Sequence, residues 1–196
     1  MDYKEAIEKY EPKDEVENKT KIKMLEYINL YGKSVLSREN EVVHFVSSAW
    51  VMNKAKTKVL MVYHKIYNSW MWTGGHADGE GDLLKVAIKE AKEETNIKSL
   101  SITSGDIYMM DILSAPEHYR KGKKVLAHAH LSVAYLLEAD ENELISIQED
   151  ENSAVSWIEI DEITKYATRE SMCKLGLKLI NRMKDLVVGD DNGQLS

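Results

Sequence analysis

The sequence predicts an α/β or α+β sandwich, a mixed sheet with helices packed on it. Three observations carry this. Segments rich in valine and aromatic residues at 42–52, 58–64, 106–113, 127–138 and 154–160 read as strands. A segment of helical periodicity at 82–95 interrupts them, and further helical segments at 14–31, 161–167 and 170–187 open and close the chain. The order is then helix, strands, helix, strands, helices, which a layered sheet-and-helix architecture accommodates.

The first helix is announced by Asp14 with Glu17 three residues later, a capping-box pattern. Ile22, Leu25 and Ile28, with Met24 alongside, supply its expected apolar face, and Gly32 ends it. Residues 1–40 are therefore read as a helical extension ahead of the main domain. Three roles stay open to it: packing on the domain, forming a homodimer, or covering the site. The polar run from Asn53 to Thr57 joins the first two strands as a hairpin. Trp70 and Trp72 flank Met71 just before Thr73-Gly74-Gly75, as a strand would on entering a glycine loop. The central helix runs from Asp82 to Thr95. Residues 116–124 read as a loop carrying Arg120, Lys121, Lys123 and Lys124, a solvated charge run in reach of phosphate. The main domain is placed at 41–188, with an unstructured tail at 189–196.

Composition limits the function classes. Hydrophobic residues make up 43% of the chain and charged residues 30%, as in soluble globular domains. A single cysteine, Cys173, permits no intrachain disulfide and reads as a small buried hydrophobe. The charged start and the shortness of the longest apolar run, 131–137, argue against export or membrane insertion, so the expected location is the cytoplasm. A net charge of −7 opposes stable nucleic-acid binding through a basic surface. An acidic protein that handles an anionic substrate needs local positive charge, which a bound divalent cation supplies.

The informative chemistry lies at 74–97. Glu90, Glu93 and Glu94 stand at i, i+3 and i+4, so they share one helix face. The opposite face carries Leu84, Ala87, Ile88 and Ala91, whose alanines permit close approach to a sheet. Seen alone, the acidic face reads as a solvated surface. The entry segment, with glycines at 74, 75, 79 and 81, changes that reading, because glycine lets backbone approach a ligand closely. Carboxylates beside such a segment suit a hard cation that bridges to phosphate oxygens.

This segment resembles the signature of the Nudix hydrolase family: a glycine, five residues, a glutamate, seven residues, then Arg-Glu-aliphatic-any-Glu-Glu-any-Gly-aliphatic. Gly75 matches the first glycine, Glu90 the glutamate after the arginine position, Glu93-Glu94 the pair, and Ile97 the closing aliphatic. With Trp157 and the acidic stretch before it, the resemblance covers about 42–165. Four positions depart from the signature. Gly81 stands where it has glutamate, with Glu80 one place earlier, and Ala91 is smaller than the usual aliphatic. Asn96 replaces glycine, a residue also at ease in left-handed backbone. Lys89 replaces arginine, keeping the charge without its planar two-pronged geometry.

The resemblance implies an α/β/α sandwich with a mixed sheet, Mg²⁺ or Mn²⁺ as cofactor, and hydrolysis of a nucleoside diphosphate linked to another group. It implies that Glu90, Glu93 and Glu94 hold the metal with help from a carbonyl of Gly74 or Gly75, with Lys89 in support. It further implies that one carboxylate, or a later-loop acid among Glu149, Asp150 and Glu151, takes the proton of the attacking water. The expected partner is a small diphosphate.

Other residues are weighed beside these. His76 follows the glycine pair and is a candidate for substrate contact. His128 and His130 alternate along a strand and face one side. As ligands for a soft metal they lack a cysteine or a third histidine in suitable spacing, so they are read as pocket-lining candidates, against ordinary sheet histidines. His64 and Lys65, at a strand end, are candidates for phosphate contact. Two other functions compete. A non-catalytic Nudix-like module for nucleotide sensing would be signalled by loss of the glutamate trio, which is present. An isoprenoid diphosphate isomerase uses an active-site cysteine, and Cys173 is poorly placed in a C-terminal helix.

Overall fold

The structure is a computed structural model that describes residues 1–120, 122–148, 152–168 and 170–191. The chain enters through two helices, α1 (Tyr3–Lys9) and α2 (Glu15–Tyr31). Asp2 caps α1 by accepting the Lys4 N–H, and Asp14 caps α2 by accepting the Glu17 N–H at 2.8 Å. The sequence reading has no counterpart to α1. On α2 the buried apolar stripe is Met24 and Ile28, whereas Ile22, expected on that face, is 51% exposed. Gly32 ends the helix at φ 57°, backbone that favours glycine, and a 3-10 turn (Gly32–Leu36) leads into the sheet.

The sheet strands follow as β1 (Val43–Asn53), β2 (Lys58–His64), β3 (Ser69–Met71) and β4 (Thr73–His76). After helix α3 (Leu83–Thr95) come β5 (Ser101–Ile102), β6 (Met109–Ala115), the hairpin β7 (His118–Arg120) and β8 (Lys123–Val125), β9 (His128–Ala139) and β10 (Asn152–Glu159). Helices α4 (Ile163–Tyr166) and α5 (Glu170–Asp191) close the described chain. Three expectations need correction. Gly74 and Gly75 lie on a strand, not in a loop. The basic segment at 116–124 carries a hairpin, with His118 opposite Val125. The tail expected at 189–196 also needs correction, since 189–191 continue α5, while 192–196 and residue 121 lie outside the described residues.

β1 organises the sheet. It runs parallel to β9 from Val43↔Ala129 to Asn53↔Ala139. On its other side its first half pairs antiparallel with β4, and Met52 at its end pairs with Val59 of β2. β2 carries β3 and β10, and β9 carries β6 and β5. Alternation along β1 sends its side chains to two cores. Val43, Phe45, Ala49 and Val51 join Leu131, Val133, Tyr135 and Leu137 under α1, α2 and α3. Trp50 and Met52 join Ala134 and Leu136 under α4 and α5, where the Trp50 indole N–H meets Met183 Sδ at 3.1 Å. The sheet thus has helices on both sides, as the α/β/α expectation requires.

The two helical layers meet through a buried ionic network. Glu17, 1% exposed, accepts hydrogen bonds from Tyr10 Oη at 2.8 Å, the Lys13 N–H at 2.9 Å and Arg182 Nη1 at 2.9 Å. Lys178 Nζ adds an ion pair at 3.1 Å and also touches Met110 O and Asp111 on β6. The capping-box glutamate of α2 therefore ties the N-terminal helices to α5. No described helix is long and apolar enough to cross a membrane.

Candidate functional site

α3 starts where Asp82 accepts the Lys85 N–H and ends where Asn96 adopts left-handed backbone at φ 55°, as the sequence expects of Asn there. Leu83, Val86, Ala87 and Ala91 are buried against the sheet, and the alanines let the helix lie close to β4. That closeness is what brings carboxylates to backbone. Glu94, 7% exposed, accepts the Gly74 N–H at 3.3 Å. The Glu90 carboxylate fills the place a side chain at 75 would take, since a Cβ on Gly75 would lie 2.4 Å from it. Gly74 is constrained on its other face, where a Cβ would meet Ser48 Oγ at 2.7 Å. Both glycines are required by close packing on a strand, not by a turn.

Lys89 completes this group. Its ammonium lies 3.0 Å from Glu90 and 3.0 Å from Glu93, and these carboxylates, Glu93 foremost, raise its pKa above the usual lysine value. The lysine in the arginine position thus bridges two of the three glutamates. Glu93 keeps 51% of its side chain exposed and Glu90 18%, so the carboxylate group opens to solvent along one edge. An all-oxygen donor set of this kind fits a hard divalent cation. Glu80 is turned elsewhere, to the Asp82 N–H at 3.0 Å and Lys85 Nζ at 2.5 Å, so it does not replace the carboxylate missing at 81. A Cβ on Gly81 would lie 3.6 Å from an Asp2 carboxylate oxygen, and a glutamate at 81 would therefore face a like charge from α1.

On the opposite face of β4 the structure gathers histidines. His76 is joined there by His44 of β1 and by His128 and His130 of β9. His44 and His130 sit directly opposite each other in the parallel register. Ring centroids lie 5.1 Å apart for His44–His76, His44–His130 and His76–His130, and 4.7 Å apart for His44–His128. His118 on β7 reaches His128 at 6.0 Å. The shortage of a third histidine inferred from spacing is thus corrected by pairing: β1 and β4 supply His44 and His76 from distant sequence. Burial, reinforced by the Arg38 cation and by His130, pushes the His76 imidazole down to about 3. Burial and then His44 push His130 down to about 3 as well, and burial lowers His44. These rings are neutral near pH 7. Arg38 beside them is held by Asp78 in a two-pronged ion pair.

The remaining candidates fall elsewhere. Lys65 lies in the turn between β2 and β3, at the other end of the β3–β4 run from His76, and His64 accepts the Ile66 N–H in that turn. Glu149, Asp150 and Glu151 lie outside the described residues. Cys173 is on α5, away from α3 in the layer order.

Comparison with known proteins adds family and fold. A sequence profile of the NUDIX domain matches residues 43–175, more than half of the chain. No curated protein sequence matches the chain. Among solved structures, a C. elegans Ap4A hydrolase in a binary complex superposes with a TM-score of 0.53 at 21% identity, covering 74% of this chain and 98% of that one. The E. coli dihydroneopterin triphosphate pyrophosphohydrolase gives 0.51 at 14% identity, with 69% and 94% covered. A NUDIX family hydrolase from Clostridium perfringens gives 0.50 at 15% identity, with 71% and 97% covered. At these identities the structures attest a shared fold.

Proposed function

The chain belongs to the Nudix family, and from that premise we propose that it hydrolyses a diphosphate linkage in a nucleoside diphosphate derivative or related small molecule, with Mg²⁺ or Mn²⁺ as cofactor. The observation that carries this reading is the seating of two carboxylates on the β4 backbone, Glu94 on the Gly74 N–H and Glu90 over Gly75, with Glu93 bridged to Glu90 by Lys89. Glu90, Glu93 and Glu94 would hold the cation, with a carbonyl of Gly74 or Gly75. When bound, the cation neutralises charge that develops on phosphate oxygens and acidifies water.

The chain's own residues set the geometry around that chemistry. α3 fixes the three carboxylates on one face, and Lys89 holds two of them against mutual repulsion. The proton of the attacking water passes to one of these carboxylates or to one of Glu149, Asp150 and Glu151. His76, His128 and His130, on the face of β4 away from the carboxylates, would contact the rest of the substrate, and the neutral imidazoles of His76 and His130 can donate or accept hydrogen bonds there without adding charge.

Two outcomes follow from the packing. Gly75→Ala displaces the flexible end of Glu90 without a backbone clash, so turnover falls by about 10²-fold while the melting temperature stays near wild type. Steady-state kinetics beside a thermal melt check this, and equal turnover would contradict it. Lys89→Ala lowers turnover roughly 10- to 100-fold and raises the Mg²⁺ concentration for half-maximal rate, whereas Lys89→Arg keeps the bridge and the rate. A Mg²⁺ titration of both variants checks this pair.

The overall reading is tested by a panel of nucleoside diphosphate derivatives assayed with Mg²⁺. At least one is expected to be cleaved at the diphosphate. No turnover across the panel would favour a nucleotide-binding module without catalysis.

A further inference from the structure

We propose that His44, His76 and His130 form a second metal site, for a zinc-type transition-metal ion, on the opposite face of strand β4 from the carboxylates. One ligand nitrogen from each of the three lies within 4.8 Å of those from the other two. Zinc–imidazole bonds of about 2.0–2.1 Å place tetrahedral ligand nitrogens roughly 3.4 Å apart, so small side-chain rotations close the set onto an ion. The ligands come from three paired strands. His44 and His130 are register partners on β1 and β9, and His76 lies across from Val46 on β4.

The hydrogen-bond pattern leaves nitrogen lone pairs available on members of this cluster. His44 Nδ1 lies 2.9 Å from the Asn40 carbonyl, which can only accept, so Nδ1 carries the hydrogen and Nε2 carries the lone pair. His44 is 3% exposed, and its buried Nε2 has no hydrogen-bond partner among the described residues. A buried acceptor on a ring packed among other imidazoles, with its other nitrogen tied to a backbone carbonyl, is the arrangement a histidine ligand has. The same logic extends to β9. His128 Nδ1 donates to the Leu126 carbonyl, so its Nε2 accepts from His130 Nε2 at 3.0 Å. That leaves the lone pair of His130 on Nδ1.

Donor type separates this site from the first. Imidazole nitrogens suit zinc, cobalt, nickel or copper, whereas magnesium and calcium take oxygen donors. The two faces of β4 therefore sort two kinds of cation. Three ligands leave a fourth position open for water or an oxygen of a bound ligand.

The proposal is read by binding and not by turnover, so it stands or falls separately from the hydrolase reading. The chelator-treated full chain is titrated with Co²⁺ in excess Mg²⁺, following the visible absorption of low-coordinate Co²⁺. One equivalent is expected to saturate an intense band that Zn²⁺ displaces. His76→Ala and His130→Ala, chosen because both side chains are only partly buried, weaken Co²⁺ binding at least about 100-fold, and Glu93→Gln leaves it unchanged. Should either histidine variant fail to fold, nitrogen-15 NMR of the wild-type imidazoles with Zn²⁺ decides, with a shift of His44 Nε2 expected. Absence of a one-equivalent band, a band that survives both histidine substitutions, a band lost in Glu93→Gln, or an unshifted His44 Nε2 would overturn it.

Discussion

Glu94→Gln lowers Mg²⁺-dependent turnover of a diphosphate substrate by about 10³-fold, equivalent to ~4 kcal/mol of transition-state stabilisation. Glutamine preserves the shape of Glu94 and can still accept the Gly74 N–H, so the fold is retained. What is lost is one negative charge at the buried end of the carboxylate group, where Glu94 is 7% exposed. Electrostatic interactions there are screened least, so the charge counts for more than it would at Glu93. The expected order of effects is therefore Glu94→Gln above Glu93→Gln, measured as kcat on the best substrate of the panel. Equal turnover by wild type and Glu94→Gln would sink the role given to α3.

Glu17→Ala destabilises the protein by about 3–5 kcal/mol, because it leaves Arg182 buried without its carboxylate. For a chain of this size the melting temperature falls by about 10 °C. Burial alone would raise the Glu17 pKa. The Lys13 N–H, the Tyr10 hydroxyl, Arg182 and Lys178 outweigh burial and hold it below the usual 4.5. The sign of the pH dependence follows. The unfolded chain takes up the proton at higher pH than the folded one, so the contribution of Glu17 is present above pH 4.5 and is lost as pH falls through the folded value. Thermal melts across that range should show wild type losing stability on acidification and Glu17→Ala losing less. A variant that melts like wild type at pH 7 would show that the network does not hold the helical layers together.

The acidic face of α3 was readable because its spacing is local: i, i+3 and i+4 fix a face whatever the surroundings. The same holds for the caps at Asp14 and Asp82 and for Asn96 at the end of α3. The glycine pair was recognised, but for another reason than the one the structure shows. Glycine before a helix suggests a turn, whereas here the missing Cβ atoms admit Ser48 on one side and Glu90 on the other. The histidine cluster was only half readable. His128 and His130 are neighbours in sequence, but His44 reaches them through the parallel pairing of β1 with β9, a long-range register no local pattern encodes. α1 escaped because seven residues give too little periodicity, although Asp2 is a fitting cap. The β7–β8 hairpin was hidden beneath a run of lysines and arginine that reads as solvated loop.

The most direct test of the carboxylate site as a metal-dependent diphosphate hydrolase is turnover of the best substrate in ¹⁸O-water by chelator-treated protein, before and after Mg²⁺ is restored. The account predicts that turnover returns only with Mg²⁺ and that a single ¹⁸O appears in a phosphate-containing product. Full turnover in the presence of chelator, or label appearing only away from phosphorus, would contradict it.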